Sequence, residues 1–152
     1  MFTDLVKLPL FQDLSPADLK LIEPYFTAGN FIAGEKLFSQ GDLADMLYLI
    51  TVGELIIKYK PYDAPEITLT HVRKDDVLGW STVLGNTSYT SSVICKTDVS
   101  ALLISGGNLR KLVADHPETG KIIMDRLAMA VSPRWRDAQN QVKAMLEKGM
   151  DL

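Results

Sequence analysis

The spacing of apolar residues changes twice along the chain. After Ser15 and Pro16, which are typical of a helix start, apolar residues follow a helical spacing as far as Tyr25. Between residues 27 and 104 the pattern changes to short apolar or alternating runs that are broken by Gly, Pro, Asn and Asp. From Ser105 onward the helical spacing returns. The pattern predicts an N-terminal helical segment (1–26), a β region (27–104) and C-terminal helices (105–152).

The β region has the spacing of an antiparallel fold. Many short strands that alternate regularly with turn residues are typical of a β-sandwich or roll. Pro61 and Pro65 bracket a hairpin loop, because proline is excluded from central strands. The runs with strand character are 30–32, 35–38, 47–51, 54–59, 66–72, 77–78, 90–96 and 99–104.

The C-terminal stretch carries an apolar seam. One set of seam residues repeats with a seven-residue period, and a second set follows it in step. Pro133 interrupts the seam and should kink or restart the helix. We expect residues 121–148 to form a homodimer through this seam, and packing of the seam back onto the β region is the alternative. The two sets are Met124, Val131, Ala138 and Met145, and Ala128, Trp135 and Val142.

Composition narrows the class of protein. A chain of 152 residues with 47% hydrophobic residues fits one domain. The net charge of −3 offers no basic field for phosphates, so we expect no direct nucleic-acid binding. No apolar run is long enough for a membrane helix, and the N-terminus does not resemble a signal peptide, so a cytoplasmic protein without membrane contact is expected. The single Cys95 lies in an apolar run and is predicted to be a buried thiol.

The segment from Leu78 to Val93, here named the cradle segment, is the most unusual stretch. It has seven Ser or Thr residues, two glycines and an asparagine, but no charged side chain. Gly79 predicts a turn that opens a short helix, and free N–H groups at a helix start favour anions. A strand-like run at 89–93 follows, so both ends of the segment should face one pocket.

A second stretch, LFSQGDLADMLYLITVGEL, carries a family resemblance. Gly41 and Asp42 form a tight turn, Ala44 is small, an apolar strand follows, and Gly53 turns the chain again. This stretch resembles the first signature of the cyclic nucleotide-binding domain family, which includes the catabolite activator protein and kinase regulatory subunits. Only Phe38 departs from it, where the family prefers Val, Ile or Cys. The resemblance implies an eight-stranded antiparallel β-roll, jelly-roll-like, with a short N-terminal and a long C-terminal helix.

In that family, the segment that corresponds to the cradle segment binds the phosphate of the ligand. Leu78 and Gly79 match the family pattern. Trp80 stands in place of the glutamate that binds the ribose hydroxyl, and Tyr89 in place of the arginine that pairs with the phosphate. Two lost charge-assisted hydrogen bonds weaken binding by about two to four powers of ten. The sequence therefore predicts no cofactor and no ordinary recognition of cyclic AMP.

Three functions remain open for the pocket. The first is a sensor or regulatory domain that binds a small ligand with a flat ring, other than ordinary cyclic AMP. The second is a ligand-free dimerising scaffold or protein-interaction module in which Trp80 fills the pocket. The third is weak or atypical cyclic-nucleotide binding. The predicted ligand-binding residues are Gly79, Trp80, Ser81, Thr82, Tyr89, Thr90 and Ser91, with Arg134 as a possible cap.

Catalysis and metal binding have little support in the sequence. His71 and His116 lie far apart, and neither has a second ligand at a suitable spacing, so no metal site is predicted. Asp75 and Asp76 form a carboxylate pair without a histidine partner and are expected in a solvated turn. The family's transcription factors continue beyond the long helix into a DNA-binding domain, whereas this chain stops at Leu152. We therefore expect a non-enzyme whose output passes through dimer geometry or a partner protein.

Overall fold

The N-terminal segment is helical, as its spacing predicts. The computed structural model describes residues 2–79, 82 and 87–130. Ser15 caps the predicted helix, because its Oγ accepts a hydrogen bond from the Asp18 backbone N–H at 3.1 Å. An additional short helix precedes it and buries Leu5. The helices are α1 (Phe2–Lys7) and α2 (Pro16–Ile22), with 3-10 turns at Pro9–Phe11 and Glu23–Tyr25.

Among the described residues, eight antiparallel strands form two four-stranded sheets, so the predicted β-roll is confirmed. The first sheet has the order β1-β8-β3-β6 and the second has the order β2-β7-β4-β5. Pro61 and Pro65 lie between β4 and β5, where the hairpin loop was expected. The strands are β1 (Thr27–Phe31), β2 (Lys36–Phe38), β3 (Met46–Val52), β4 (Glu54–Tyr59), β5 (Ile67–Arg73), β6 (Val77–Leu78), β7 (Ser92–Cys95) and β8 (Val99–Ser105).

One strand boundary differs from its prediction at the cradle segment. The expected strand began at residue 89 or 90, whereas β7 begins at Ser92. Tyr89 instead pairs with the turn that follows β2. Its N–H donates to the Asp42 carbonyl, and its carbonyl accepts from the Gly41 N–H, both at 2.9 Å. These bonds hold residues 89–91 outside the β7 ladder.

Buried residues form two clusters, one on each side of the first sheet. The helical core includes Leu5, Phe11, Ile22, Leu112 and Ile123, and it joins the helices to the outer face of the sheet. The roll interior contains Phe38, Tyr48, Ile50, Leu55, Val72, Leu78, Tyr89, Val93, Cys95, Val99 and Ala101. Cys95 is buried as predicted, and burial raises the pKa of its thiol.

The helices after the roll begin as predicted. α3 (Gly106–Asp115) is capped by Ser105, whose Oγ accepts from the Asn108 N–H at 3.0 Å. It ends at its C-cap residue, His116. Residues 117–130 are helical and form the last described helix. At Gly120 an added Cβ would lie 2.8 Å from the Val113 Cα, so this helix crosses α3 at very close range.

The predicted seam is only partly on the core side of the last described helix. Ile123 and Leu127 face the helical core, and Met124 packs against it in part. Ala128 of the predicted seam is exposed. The buried residues of this helix, Ile123 and Leu127, therefore each precede a seam residue by one position. The rest of the seam, Pro133 and the predicted interface beyond residue 130 lie outside the described residues.

The remaining sequence expectations fall on surface positions. His71 lies on β5, and Asp75 and Asp76 lie in the turn between β5 and β6. Within the described part of the chain, no group of three or more His, Cys, Asp or Glu side chains is placed to hold a metal ion. No helix among the described residues is long and apolar enough to cross a membrane.

Candidate functional site

Gly79 sets the entry to the cradle segment. Its φ is +93°, a left-handed conformation that favours glycine. An added Cβ would lie 2.4 Å from the Met46 carbonyl oxygen, so a side chain at this position would collide with β3. The Thr82 N–H donates to the Gly79 carbonyl at 3.0 Å, and Thr82 is helical. A hydrogen-bonded turn therefore joins Gly79 and Thr82. Trp80, Ser81 and the residues of the predicted short helix after Thr82 lie outside the described residues.

Thr82 faces inward and contacts two elements. Its Oγ1 donates to the Met46 carbonyl at 3.2 Å, and its side chain is buried. Its methyl carbon would lie 3.0 Å from a Cβ added at Gly106, the first residue of α3. The cradle segment thus packs against both the start of β3 and the start of α3.

Tyr89 turns its side chain into the roll interior and is 4% exposed. Its hydroxyl donates to the Met46 carbonyl at 2.6 Å and accepts from the Met46 N–H at 3.0 Å. The N–H and the carbonyl of Met46 are therefore both bonded to the Tyr89 phenol, and the carbonyl also accepts from Thr82. Burial raises the pKa of the phenol, and the Asp45 carboxylate adds to that rise, so the hydroxyl stays neutral at physiological pH.

Tyr89 belongs to an aromatic cluster, defined here as Phe31, Phe38, Tyr48 and Tyr89. The Phe38 and Tyr89 rings are stacked, with centroids 3.8 Å apart and planes at 18°. Tyr48 lies 5.7 Å from Phe38, and Phe31 makes an edge contact with Tyr48. Burial raises the pKa of Tyr48 to about 12. The interior of the roll beside the cradle segment is thus occupied by the protein's own rings.

The outer end of the cradle segment is fixed to neighbouring loops. The Ser92 Oγ accepts from the Gln40 N–H at 2.8 Å, and the Gln40 side chain exchanges two hydrogen bonds with the Lys60 backbone. Thr90 is exposed and Ser91 is half-buried. Of the predicted site residues, the structure brings Gly79, Thr82 and Tyr89 together around Met46, and it does not place Thr90 in that group.

Met46 and Phe38 are central to the site although neither was predicted as a site residue. Met46 acts through its backbone, so its side chain gives no signal in the sequence. Phe38 had a signal, since it is the departure from the family's first signature. Arg134, the predicted cap, lies outside the described residues.

The model of the cyclic nucleotide-binding domain matches residues 29–116. This chain belongs to the cyclic nucleotide-binding domain family. The match begins within β1 and includes β2 to β8, the cradle segment and α3, so the resemblance stated from the sequence is confirmed.

Individual relatives of the domain are distant. The chain is 26% identical over 142 residues to a CRP-like cAMP-activated global transcriptional regulator of Mycobacterium tuberculosis, an alignment that covers 93% of this chain and 62% of the relative. The chain thus spans less than two thirds of the length of that regulator.

Two solved structures show the shared fold. A cyclic nucleotide-binding domain from Methylobacillus flagellatus has a TM-score of 0.80 and 20% identity, over 95% of this chain and 81% of its own. The regulatory subunit of a cAMP-independent protein kinase A from Trypanosoma cruzi, bound to guanosine, has a TM-score of 0.74 and 17% identity, over 94% of this chain and 49% of its own.

Proposed function

We propose that this chain is a non-catalytic regulatory domain whose roll interior beside position 89 is filled by its own side chains and which works without binding cyclic AMP. The observation that carries this proposal is the position of Tyr89. It stands where the family pattern has its phosphate-binding arginine, and its hydroxyl donates its single proton to the Met46 carbonyl. A phenol engaged in this way has no proton left to donate to a phosphate oxygen.

The electrostatics of the site point the same way. A cyclic phosphate carries a negative charge, and burying it without a cationic partner is costly. The phenol of Tyr89 is neutral, and the nearby Asp45 carboxylate that raises its pKa would repel an anion. The geometry therefore favours the ligand-free alternative over ordinary cyclic-nucleotide recognition.

A small ligand other than cyclic AMP is the second candidate. It is supported by the Trypanosoma cruzi regulatory subunit, which has this fold and is described as cAMP-independent and bound to guanosine. A nucleoside carries no phosphate, so it does not require the missing arginine. In this chain such a ligand would enter the roll interior only after the Phe38 and Tyr89 rings had separated.

The output is proposed to pass through the last helix, either to a second copy of the chain or to a partner protein. In the helix of residues 117–130, Ile123 and Leu127 are buried in the helical core. On the same helix, the side chains of Ile122 and Met129 are 41% and 75% exposed. Exposed apolar side chains on a helix whose opposite face is already packed are suited to such a contact.

The proposal is tested by isothermal titration and thermal shift with cyclic AMP, cyclic GMP, adenosine and guanosine. We expect no heat of binding and no change in melting temperature with any of the four compounds. A matched variant, Tyr89→Phe, keeps the ring but removes both hydrogen bonds to Met46. Since the phosphate site would still lack a cation, this variant should also fail to bind the cyclic nucleotides.

The outcomes separate the candidates. Micromolar binding of cyclic AMP by the unaltered protein would overturn the proposal and favour atypical cyclic-nucleotide recognition. Binding of adenosine or guanosine, with no gain from the cyclic phosphate, would overturn the ligand-free state and support the second candidate.

A further inference from the structure

Two departures from the family pattern contact each other in the structure. Phe38 departs from the first signature and Tyr89 departs from the phosphate-binding position, and they lie on separate segments. Their rings are stacked at 3.8 Å. Both are buried. We propose that Phe38 and Tyr89 act as one specificity-determining pair, in which Phe38 excludes a phosphate-binding side chain from position 89 and thereby keeps this part of the roll interior filled by rings.

This inference rests on the proposed function and deepens it. The backbone explains why the two side chains meet. Phe38 ends β2 and pairs with Val93 of β7. The turn that follows β2 then bonds both backbone groups of Tyr89, through Gly41 and Asp42. The same short stretch of chain therefore places the Phe38 ring and aligns the residue at position 89.

Phe38 has little freedom to move aside. One face of its ring stacks on Tyr89, and Tyr48 lies 5.7 Å away within the same buried cluster. An arginine at position 89 would meet this ring in the roll interior, where a guanidinium without an anion is costly. A smaller side chain at position 38, such as the valine that the family pattern prefers, would free the volume of the ring beside position 89.

The test compares Tyr89→Arg, Phe38→Val and the double variant Phe38→Val/Tyr89→Arg in the full chain. Titrations use cyclic AMP and adenosine, because the difference between these two ligands isolates the phosphate contribution. We expect the double variant to bind cyclic AMP at least about 10-fold more tightly than Tyr89→Arg does, as one charge-assisted hydrogen bond contributes about 10- to 100-fold. Adenosine should show no such gain.

Equal affinity of Tyr89→Arg and the double variant for cyclic AMP, including failure of both to bind, would overturn the pair. This outcome differs from failure of the proposed function, which is binding of cyclic AMP by the unaltered protein. A gain in adenosine binding of the same size would also overturn the pair, because the effect would then not concern phosphate.

A second measurement keeps the inference testable if the arginine variants do not fold. The variants Phe38→Leu, Tyr89→Leu and their combination are compared by urea unfolding. Stacked rings contribute beyond their buried area. The product of the changes in the unfolding equilibrium constant for the two single variants should therefore exceed the change for the double variant by about 2- to 10-fold. Effects that multiply independently would contradict the pair.

Discussion

At the scale of single residues, some groups of the site could be predicted from residue type and others could not. Gly79 was predicted from the sequence, since glycine before a polar run signals a turn. Tyr89 was predicted to be part of the site, but its orientation was not, because its partner is the backbone of Met46. A backbone partner leaves no trace in residue type. The contact between Phe38 and Tyr89 depends on sheet register, which apolar spacing alone does not fix.

Gly79→Ala should destabilise the domain more than the same change at Gly34, a glycine with a similar backbone conformation. Position 79 combines a left-handed backbone with a Cβ position 2.4 Å from the Met46 oxygen. The backbone conformation costs about 1–2 kcal/mol for a residue other than glycine, and displacement of β3 adds to that cost. We expect the free energy of unfolding, measured in urea, to fall by more than about 2 kcal/mol.

The matched control for this change is Gly34→Ala. Gly34 has a nearly equal φ of +88°, but nothing lies within 4 Å of its added Cβ. Only the backbone cost of about 1–2 kcal/mol is therefore expected. Equal losses at the two positions would show that contact with Met46 is unimportant.

At the scale of elements, local signals predicted more than tertiary ones. The helix starts at Ser15 and Ser105 were predicted because they depend on neighbours in sequence, and both serines cap their helices. The α1 helix was not predicted individually, since it is short and polar residues interrupt its apolar positions. Its stability must come from packing, because isolated helices of this length are marginal. The start of β7 was predicted too early because the turn at Gly41 captures the backbone of Tyr89.

Arg126 joins the last described helix to the segment between α1 and α2. Its Nη1 donates to the carbonyls of Leu10 and Gln12, and its Nη2 lies 3.9 Å from the Asp13 carboxylate. Arg126→Met should remove this connection and lower the free energy of unfolding by about 1–2 kcal/mol, a value reduced for partial exposure. Hydrogen exchange should also increase at residues 8–14.

Lys121→Met on the same helix is the control for Arg126. Lys121 is exposed, and its replacement should change stability by less than about 0.5 kcal/mol. If Arg126→Met is as mild as Lys121→Met and leaves hydrogen exchange at 8–14 unaltered, the proposed connection is wrong.

At the scale of the whole molecule, the family and fold were predictable because many weak local signals agree over the chain. The two sheets, their flanking helices and the family assignment all confirm that prediction. The function of the pocket was less predictable, because it depends on how a few rings fill the roll. The spacing of the apolar residues predicts that their side chains face the interior of the roll, but not whether they leave room there for a ligand.

Global stability should depend on alkaline pH through Tyr48. Burial raises the pKa of its phenol from 10.0 to about 12, so the unfolded chain releases this proton at lower pH than the folded one. The contribution of Tyr48 to stability should therefore be complete below pH 10 and decline as the pH rises toward 12. Urea unfolding across this range should show a falling free energy of unfolding.

Tyr48→Phe is the comparison for the pH series, because it keeps the ring and removes the titrating group. Its free energy of unfolding should fall less steeply between pH 10 and 12 than that of the unaltered protein. Parallel curves would contradict a role for this phenol.

The close crossing at Gly120 bears on how this domain can change during evolution. The last described helix lies against α3 at a point where only a hydrogen atom fits between Gly120 and the Val113 backbone. The direction in which this helix leaves the domain is therefore set by one missing methyl group. A single base change that adds a side chain there would displace this helix from α3 while leaving every residue of the cradle segment unchanged, so the position of the helix can evolve separately from the side chains that fill the roll.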